Sequence, residues 1–143
     1  DIAAKRPGVI TRVGMGTFID PEKEGGRLNE RTTEPLVERI ELDGRPMLFY
    51  RSFPVTVGLI RATVADRSGN LAMTEEAVIG EVLAIAQAVR NSGGTVIAQV
   101  KRLTDEPIAP QSVKVPGILV DRIVVAEEGE QFTLGPRANE FLM

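Results

Sequence analysis

Gly14-Met15-Gly16-Thr17-Phe18 is the stretch of this chain best suited to chemistry. Two glycines one residue apart let a backbone turn tightly and approach a ligand closely, because neither carries a Cβ. Such a turn can aim N–H groups at an anion or at an oxyanion that develops during a reaction. A plain strand-to-loop corner is the alternative, since the β-prone run Val9-Ile10-Thr11-Arg12-Val13 leads straight into it. A dinucleotide fingerprint would need a third glycine three residues on, at the start of a helix. Ile19 holds that position and Pro21 soon follows, which argues against a Rossmann phosphate loop.

The missing residue types narrow the chemistry further. The chain has no Cys and no His. That removes disulfides, thiolate nucleophiles, the Ser-His-Asp triad and the commonest zinc ligands, so no metal is expected. Carboxylates, Lys, Arg, Tyr, hydroxyls and backbone N–H groups remain. Asp20 reads as a loop-capping side chain before Pro21. Glu75 and Glu76 are adjacent on an expected helix and would not face one another as an acid–base pair. Gln99 lies in an apolar run and reads either as a site residue or as a hydrogen-bonded core amide.

A net charge of −3 gives no electrostatic case for nucleic acid or an anionic membrane as partner. The longest apolar stretches fall far short of a membrane span. No basic-then-apolar leader opens the chain, so a cytoplasmic location is expected. The opening Asp1-Ile2-Ala3-Ala4 lacks an initiator Met. With 43% apolar and 26% charged residues over 143 positions, the chain has a globular balance and length for one domain with a real core.

The elements that must position these residues follow from local pattern. Val9–Val13 reads as a strand, and 20–31 as a polar, Gly-rich loop. Asp43-Gly44 predicts a tight turn between Val37–Leu42 and Met47–Tyr50, a hairpin whose second strand Pro46 would delay or push to an edge. Val55–Ala65 reads as a buried strand closed by the turn residues Asp66–Asn70. A helix is expected over Glu75–Arg90, with Thr74 as N-cap and Asn91-Ser92-Gly93-Gly94 as the stop. Gly80 inside it suggests a close packing contact. Thr95–Val100 and Ile118–Ala126 are further apolar strands. Strand, helix, strand with apolar runs points to a sheet covered on both faces.

Several motifs in series then make the reading specific. The run Gly14 to Phe18, Ile19-Asp20-Pro21, Glu24 to Asn29 and Arg31-Thr32-Thr33-Glu34 resembles the family I CoA-transferases. It is most similar to the long single-chain branch that acts on acetate, propionate and related acids. The resemblance continues through Leu48-Phe49-Tyr50, Phe53-Pro54, Ala62–Asp66, Gly69-Asn70, Asn91–Gly94 and Val113–Asp121. It implies an α/β fold: a three-layer, mostly parallel twisted sheet with flanking helices, incomplete here. Residues 1–126 would be the later part of the N-terminal transferase domain, and 127–143 a linker or the start of the second half. The tail from Gln131 departs from the family pattern.

The resemblance also implies a mechanism. A glutamate attacks an acyl-CoA thioester to give a mixed anhydride. CoA thiolate then forms a glutamyl-CoA thioester, and an incoming acid (acetate, propionate or a 3-keto acid) takes the CoA by the reverse steps. Coenzyme A is thus a substrate. Gly14, Gly16 and Phe18 map onto the family's Gly-x-Gly-x-Phe motif, tied to oxyanion stabilisation and CoA binding. Arg27, Asn29, Arg31 and Lys101 are candidate contacts to CoA phosphates, with ordinary surface charge as the alternative. The family's Ser-Glu-Asn-Gly nucleophile motif is absent, and neither Asn29-Glu30-Arg31 nor Asn139-Glu140-Phe141 matches it. No catalytic residue is therefore assigned in this chain. The expected partners are an acyl-CoA, a short carboxylic acid, the remaining half of the same enzyme and further copies of it. Two rival readings are a non-catalytic CoA- or nucleotide-binding module, and a structural half-domain that needs a complementary chain.

Overall fold

The structure, a computed structural model, describes residues 1–127. The expected linker or start of the second half, 127–143, lies outside the described residues from 128 onward. The chain divides into two compact units, Asp1–Phe53 and Pro54 onward.

The first unit is an antiparallel sheet of β1 (Gly8–Thr11), β2 (Val37–Leu42) and β3 (Arg45–Arg51), in the order β1-β3-β2. The β2–β3 hairpin forms where the sequence places it. Asp43 and Gly44 have φ of 52° and 68°, the two positive values of a type I′ turn. Pro46 does not delay β3, which begins at Arg45 and is the central strand. The reason lies in the register. β1 pairs only with Leu48–Arg51, so Pro46 needs to offer no N–H on that side. Opposite Glu41 it is one step from the pair Leu42–Arg45 that closes the turn, at a wide position of the ladder where no N–H is required. Leu48 is fully buried at the centre of this small sheet. The connection between β1 and β2 carries the Gly-x-Gly turn.

The second unit contains β4 (Val57–Asp66), β5 (Leu71–Ala72), α1 (Val82–Asn91), β6 (Thr95–Thr104), β7 (Val113–Val115) and β8 (Arg122–Val125). Its sheet runs β7-β5-β4-β6-β8. β4, β6 and β8 are parallel, with α1 as the crossover from β4 to β6, and the α/β class is borne out. β5 alone is reversed, antiparallel to both its neighbours β4 and β7, so β7 runs with β4, β6 and β8 and the sheet is mixed but mostly parallel. Residues 66–70 reverse the chain as a hairpin here, rather than sending it into a crossover. One face packs on α1: Ile60, Ala62, Val96, Ala98 and Val100 join Ala86 and Val89 in the core. Gly58 allows this approach, since a Cβ there would lie 2.8 Å from a Val89 methyl.

The helix is shorter than its periodicity suggests. It starts at Val82, not Glu75, and Thr74 is not its cap. Two observations explain this. The amides of Thr74 and Glu75 both donate to the Thr63 hydroxyl, each at 3.0 Å, and that hydroxyl donates to Glu76. Gly80 then adopts φ 61°, outside the right-handed helix region, with nothing within 4 Å of where its Cβ would be. Gly80 thus serves backbone conformation, not close packing.

A clasp on Asp66 and Asn70 holds the second unit's loops. The Asp66 carboxylate accepts from the amides of Ser68, Asn70 and Ile108 and from the Asn70 side chain, at 2.9–3.1 Å. Burial pushes that carboxyl upward, but these bonds outweigh it and hold it below its ordinary value. Asn70 Oδ1 accepts from the Gly117 amide at 2.9 Å. A Cβ on Gly117 would come within 2.0 Å of the Ser68 carbonyl oxygen, so only glycine fits. Much of the motif series therefore supports the fold. No helix among the described residues is long and apolar enough to cross a membrane.

Candidate functional site

The turn after β1 is a chain of backbone hydrogen bonds. Met15 N–H donates to the Arg12 carbonyl at 3.2 Å, Thr17 N–H to Gly14 at 3.1 Å and Asp20 N–H to Thr17 at 3.0 Å. The Thr17 hydroxyl also donates to the Gly14 carbonyl, at 2.6 Å. Gly26 N–H closes the loop on the Phe18 carbonyl at 2.9 Å. Gly14 and Gly16 have φ of 94° and 73°, which favour glycine. Gly14 is also confined. A Cβ there would lie 2.3 Å from the Tyr50 hydroxyl oxygen, which donates to the Val13 carbonyl at 2.7 Å. Nothing lies within 4 Å of the Cβ position of Gly16, so that side of the loop is open.

Asp20 is the hub of this loop. It is 0% exposed. Its Oδ2 accepts from the Gly16 amide at 2.6 Å, and Oδ1 from the Glu22 amide at 3.1 Å. Arg39, in β2, grips both oxygens through Nε and Nη2, each at 2.9 Å, and its Nη1 pairs with Glu22. The guanidinium, then the Gly16 amide, hold the Asp20 carboxyl far below its ordinary 3.8 against the opposing effect of burial. The same pairing raises Arg39. Asp20 is thus more than a cap before Pro21.

The loop's amides are consequently unequal. Those of Met15, Gly16 and Thr17 are donated internally. Those of Gly14 and Phe18 have no acceptor among the described residues. Phe18 itself is about two-fifths exposed, at 39%.

Arg27, Asn29 and Arg31 follow in the same unit and are all exposed. Asn29 Oδ1 is occupied by the Arg31 amide at 3.0 Å. The guanidinium groups of Arg27 and Arg31 have no acidic partner among the described residues, which leaves two cations for an anionic ligand. Lys101 belongs to the other unit, where Glu75 holds it at 2.6 Å and Arg102 at 2.7 Å. Glu75 is lowered by Lys101 first and Arg102 second. Gln99 is half-buried in β6, in register with Arg61 and Val124. Sequence reasoning missed Arg39 and Tyr50. Both reach the loop from strands far along the chain, and no local pattern marks either.

The chain belongs to the coenzyme A transferase family, which it matches over residues 3–126. It is 53% identical over 129 residues to the caffeate CoA-transferase of Acetobacterium woodii, covering 90% of this chain and 25% of that one. It is 40% identical over 141 residues to the acetate CoA-transferase YdiF of Escherichia coli, covering 98% and 27%. The crystal structure of the acyl-CoA transferase YdiF from Escherichia coli O157:H7, a thioester complex with CoA, matches with a TM-score of 0.84 at 38% identity. That match covers 92% of this chain and 28% of the other. The chain therefore spans about a quarter of the length of these relatives.

Proposed function

We propose that this chain is part of an acyl-CoA:carboxylate CoA-transferase and supplies the loop that meets the reacting thioester. The observation that carries this is the Gly14–Phe18 turn, a tightly bonded loop with two unsatisfied amides, within a continuous family match. Gly14, Gly16 and Phe18 form the thioester-facing segment. Gly14 and Phe18 have the amides available to an oxyanion, and Gly16 is the hinge that Asp20 fixes. Arg27 and Arg31 would meet CoA phosphates through planar, bidentate guanidinium donors.

The glutamate that takes up CoA lies in the remainder of the enzyme. It attacks the acyl carbonyl and expels CoA thiolate, leaving a mixed anhydride. The thiolate returns to form the glutamyl-CoA thioester and releases the first acid. The second acid then reverses both steps. Acetate and propionate fit the long single-chain branch, and caffeate enters through the relative from Acetobacterium. Residues 1–126 form the later part of the N-terminal transferase half, and 127–143 lead toward the second. The protein works in the cytoplasm, as an assembly of several copies.

Intact-mass spectrometry of the purified protein with acetyl-CoA and either propionate or caffeate tests this. The full-length enzyme is expected to carry a covalent CoA adduct and to form the new acyl-CoA by ping-pong kinetics. Residues 1–143 alone are expected to form neither. Sequential kinetics without an adduct would rule out the covalent route. Exchange by a pure 15.5 kDa chain would place the nucleophile among the residues here.

A further inference from the structure

We propose that Arg39 is a positioning residue for the Gly14–Phe18 loop. By clamping the Asp20 carboxylate, it fixes which backbone amides stay free to meet a substrate oxygen. This rests on reading the loop as the thioester-contacting element of a CoA-transferase.

Asp20 sits in irregular backbone, where the only local partners of its side chain among the described residues are the Gly16 and Glu22 amides, one on each carboxylate oxygen. Arg39 comes from β2, whose register against β3 places it opposite Leu48, the fully buried centre of the sheet. The guanidinium is therefore delivered from a rigid element. Its planar fork matches a carboxylate with both oxygens engaged, 2.9 Å from each. Each oxygen can then take one amide, Gly16 on Oδ2 and Glu22 on Oδ1. The 2.6 Å bond turns the Gly16 N–H toward the carboxylate and away from any ligand. With the Met15 and Thr17 amides spent in turns, Gly14 and Phe18 are left as donors. Without the clamp the Gly16 amide would be released, and the loop would lose its single arrangement of donors. Preorganised donors of this kind matter most where charge develops, in the transition state.

The pair does not act as a generic surface bridge. Arg51–Glu38 joins β3 to β2 in the same sheet, with side chains 50% and 38% exposed, and touches no loop residue. It is the internal control. A lysine at position 39 would keep the charge but lose the fork, since one ammonium cannot hold both oxygens in plane.

The test uses the full-length enzyme and reads kcat, KM for acyl-CoA and melting temperature for Arg39→Lys, Arg39→Met, Asp20→Asn and Arg51→Met. Arg39→Lys should lower kcat about 10- to 100-fold with KM within about 3-fold, because a displaced donor is felt mainly in the transition state. Arg39→Met should lower it at least as much. Asp20→Asn combined with Arg39→Met should be no worse than the poorer single variant, since groups acting as one unit are non-additive. Arg51→Met should keep the parent kcat. If Arg39→Met does not fold, Arg39→Lys decides. Parent-like kcat in Arg39→Lys would overturn the proposal while leaving the transferase reading intact. A kcat loss in Arg39→Lys that Arg51→Met reproduces at the same melting temperature would do the same. A parent enzyme that transfers no CoA would overturn both.

Discussion

Gly14 and Gly16 share a positive φ but differ in surroundings, and the difference is measurable. Gly16→Ala meets open space, so it carries only the strain of a left-handed non-glycine residue, about 1–2 kcal/mol. Gly14→Ala carries the same strain and also displaces the Tyr50 hydroxyl from the Val13 carbonyl, adding about 1 kcal/mol for the lost bond. Urea unfolding should rank Gly14→Ala as the more damaging, and Tyr50→Phe should make Gly14→Ala less damaging by about 1 kcal/mol. Equal losses in both tyrosine backgrounds would show that the hydroxyl is not the obstacle. Asp20 sets a pH dependence at the same scale. Its folded-state carboxyl is held far below 3.8, so the unfolded chain binds its proton first. The stabilisation is complete above 3.8 and is lost as pH falls below it toward the folded value. Asp66 acts in the same direction, and so does Glu75 from its ordinary 4.5. Asp20→Asn should therefore flatten the acid side of the stability–pH curve without abolishing it. An unchanged acid slope in that variant would remove Asp20 from the account.

At the scale of elements, Thr63 shows how one buried hydroxyl ends a helix before it begins. It accepts from Thr74 and Glu75 and donates to Glu76, so three groups depend on it. Thr63→Val keeps the shape and leaves two amides and a carboxylate oxygen without a partner, which should lower stability by about 2–4 kcal/mol. Thr63→Ser keeps the hydroxyl and should lose about 1 kcal/mol or less. Denaturant midpoints that do not separate the two variants would mean the hydroxyl is dispensable. The same residue explains what the chain's pattern could not disclose. The β2–β3 hairpin was legible because Asp43-Gly44 carries its own turn geometry. The strands of the second unit were legible from their apolar runs. The helix start was not, because the hydroxyl that holds Thr74 and Glu75 outside the helix belongs to a strand, eleven residues before Thr74. The site divides in the same way. Two glycines announce a loop, but the arginine that fixes it stands nineteen residues from its carboxylate.

At the scale of the second unit, its sheet has one face under α1 and a second face that residues 74–76 cover at Thr63 but that lies open along the first part of β4. The second face carries Val57, Leu59, Ile97 and Val124 beside Arg61, Gln99 and Arg122, by strand alternation and register. Leu59 is 74% exposed, Val57 53% and Val124 51%, an unusual state for parallel strands, which are normally covered on both faces. On the proposed reading, in which this chain is part of a transferase about four times as long, the rest of that enzyme supplies the cover. Residues 1–143 on their own should therefore self-associate through this face, most strongly near the isoelectric point of about 5.1, where net charge no longer opposes contact. Leu59→Glu should reduce that association in sedimentation measurements by placing a charge at its centre. In the full-length enzyme the same change should destabilise by about 1.5–3 kcal/mol or more, because the leucine is then buried and the carboxylate must be too. The opposite signs separate a covered face from an exposed one. A substitution without effect on either protein would mean that this face meets water in the working enzyme, and that the sheet is stable with one layer of cover.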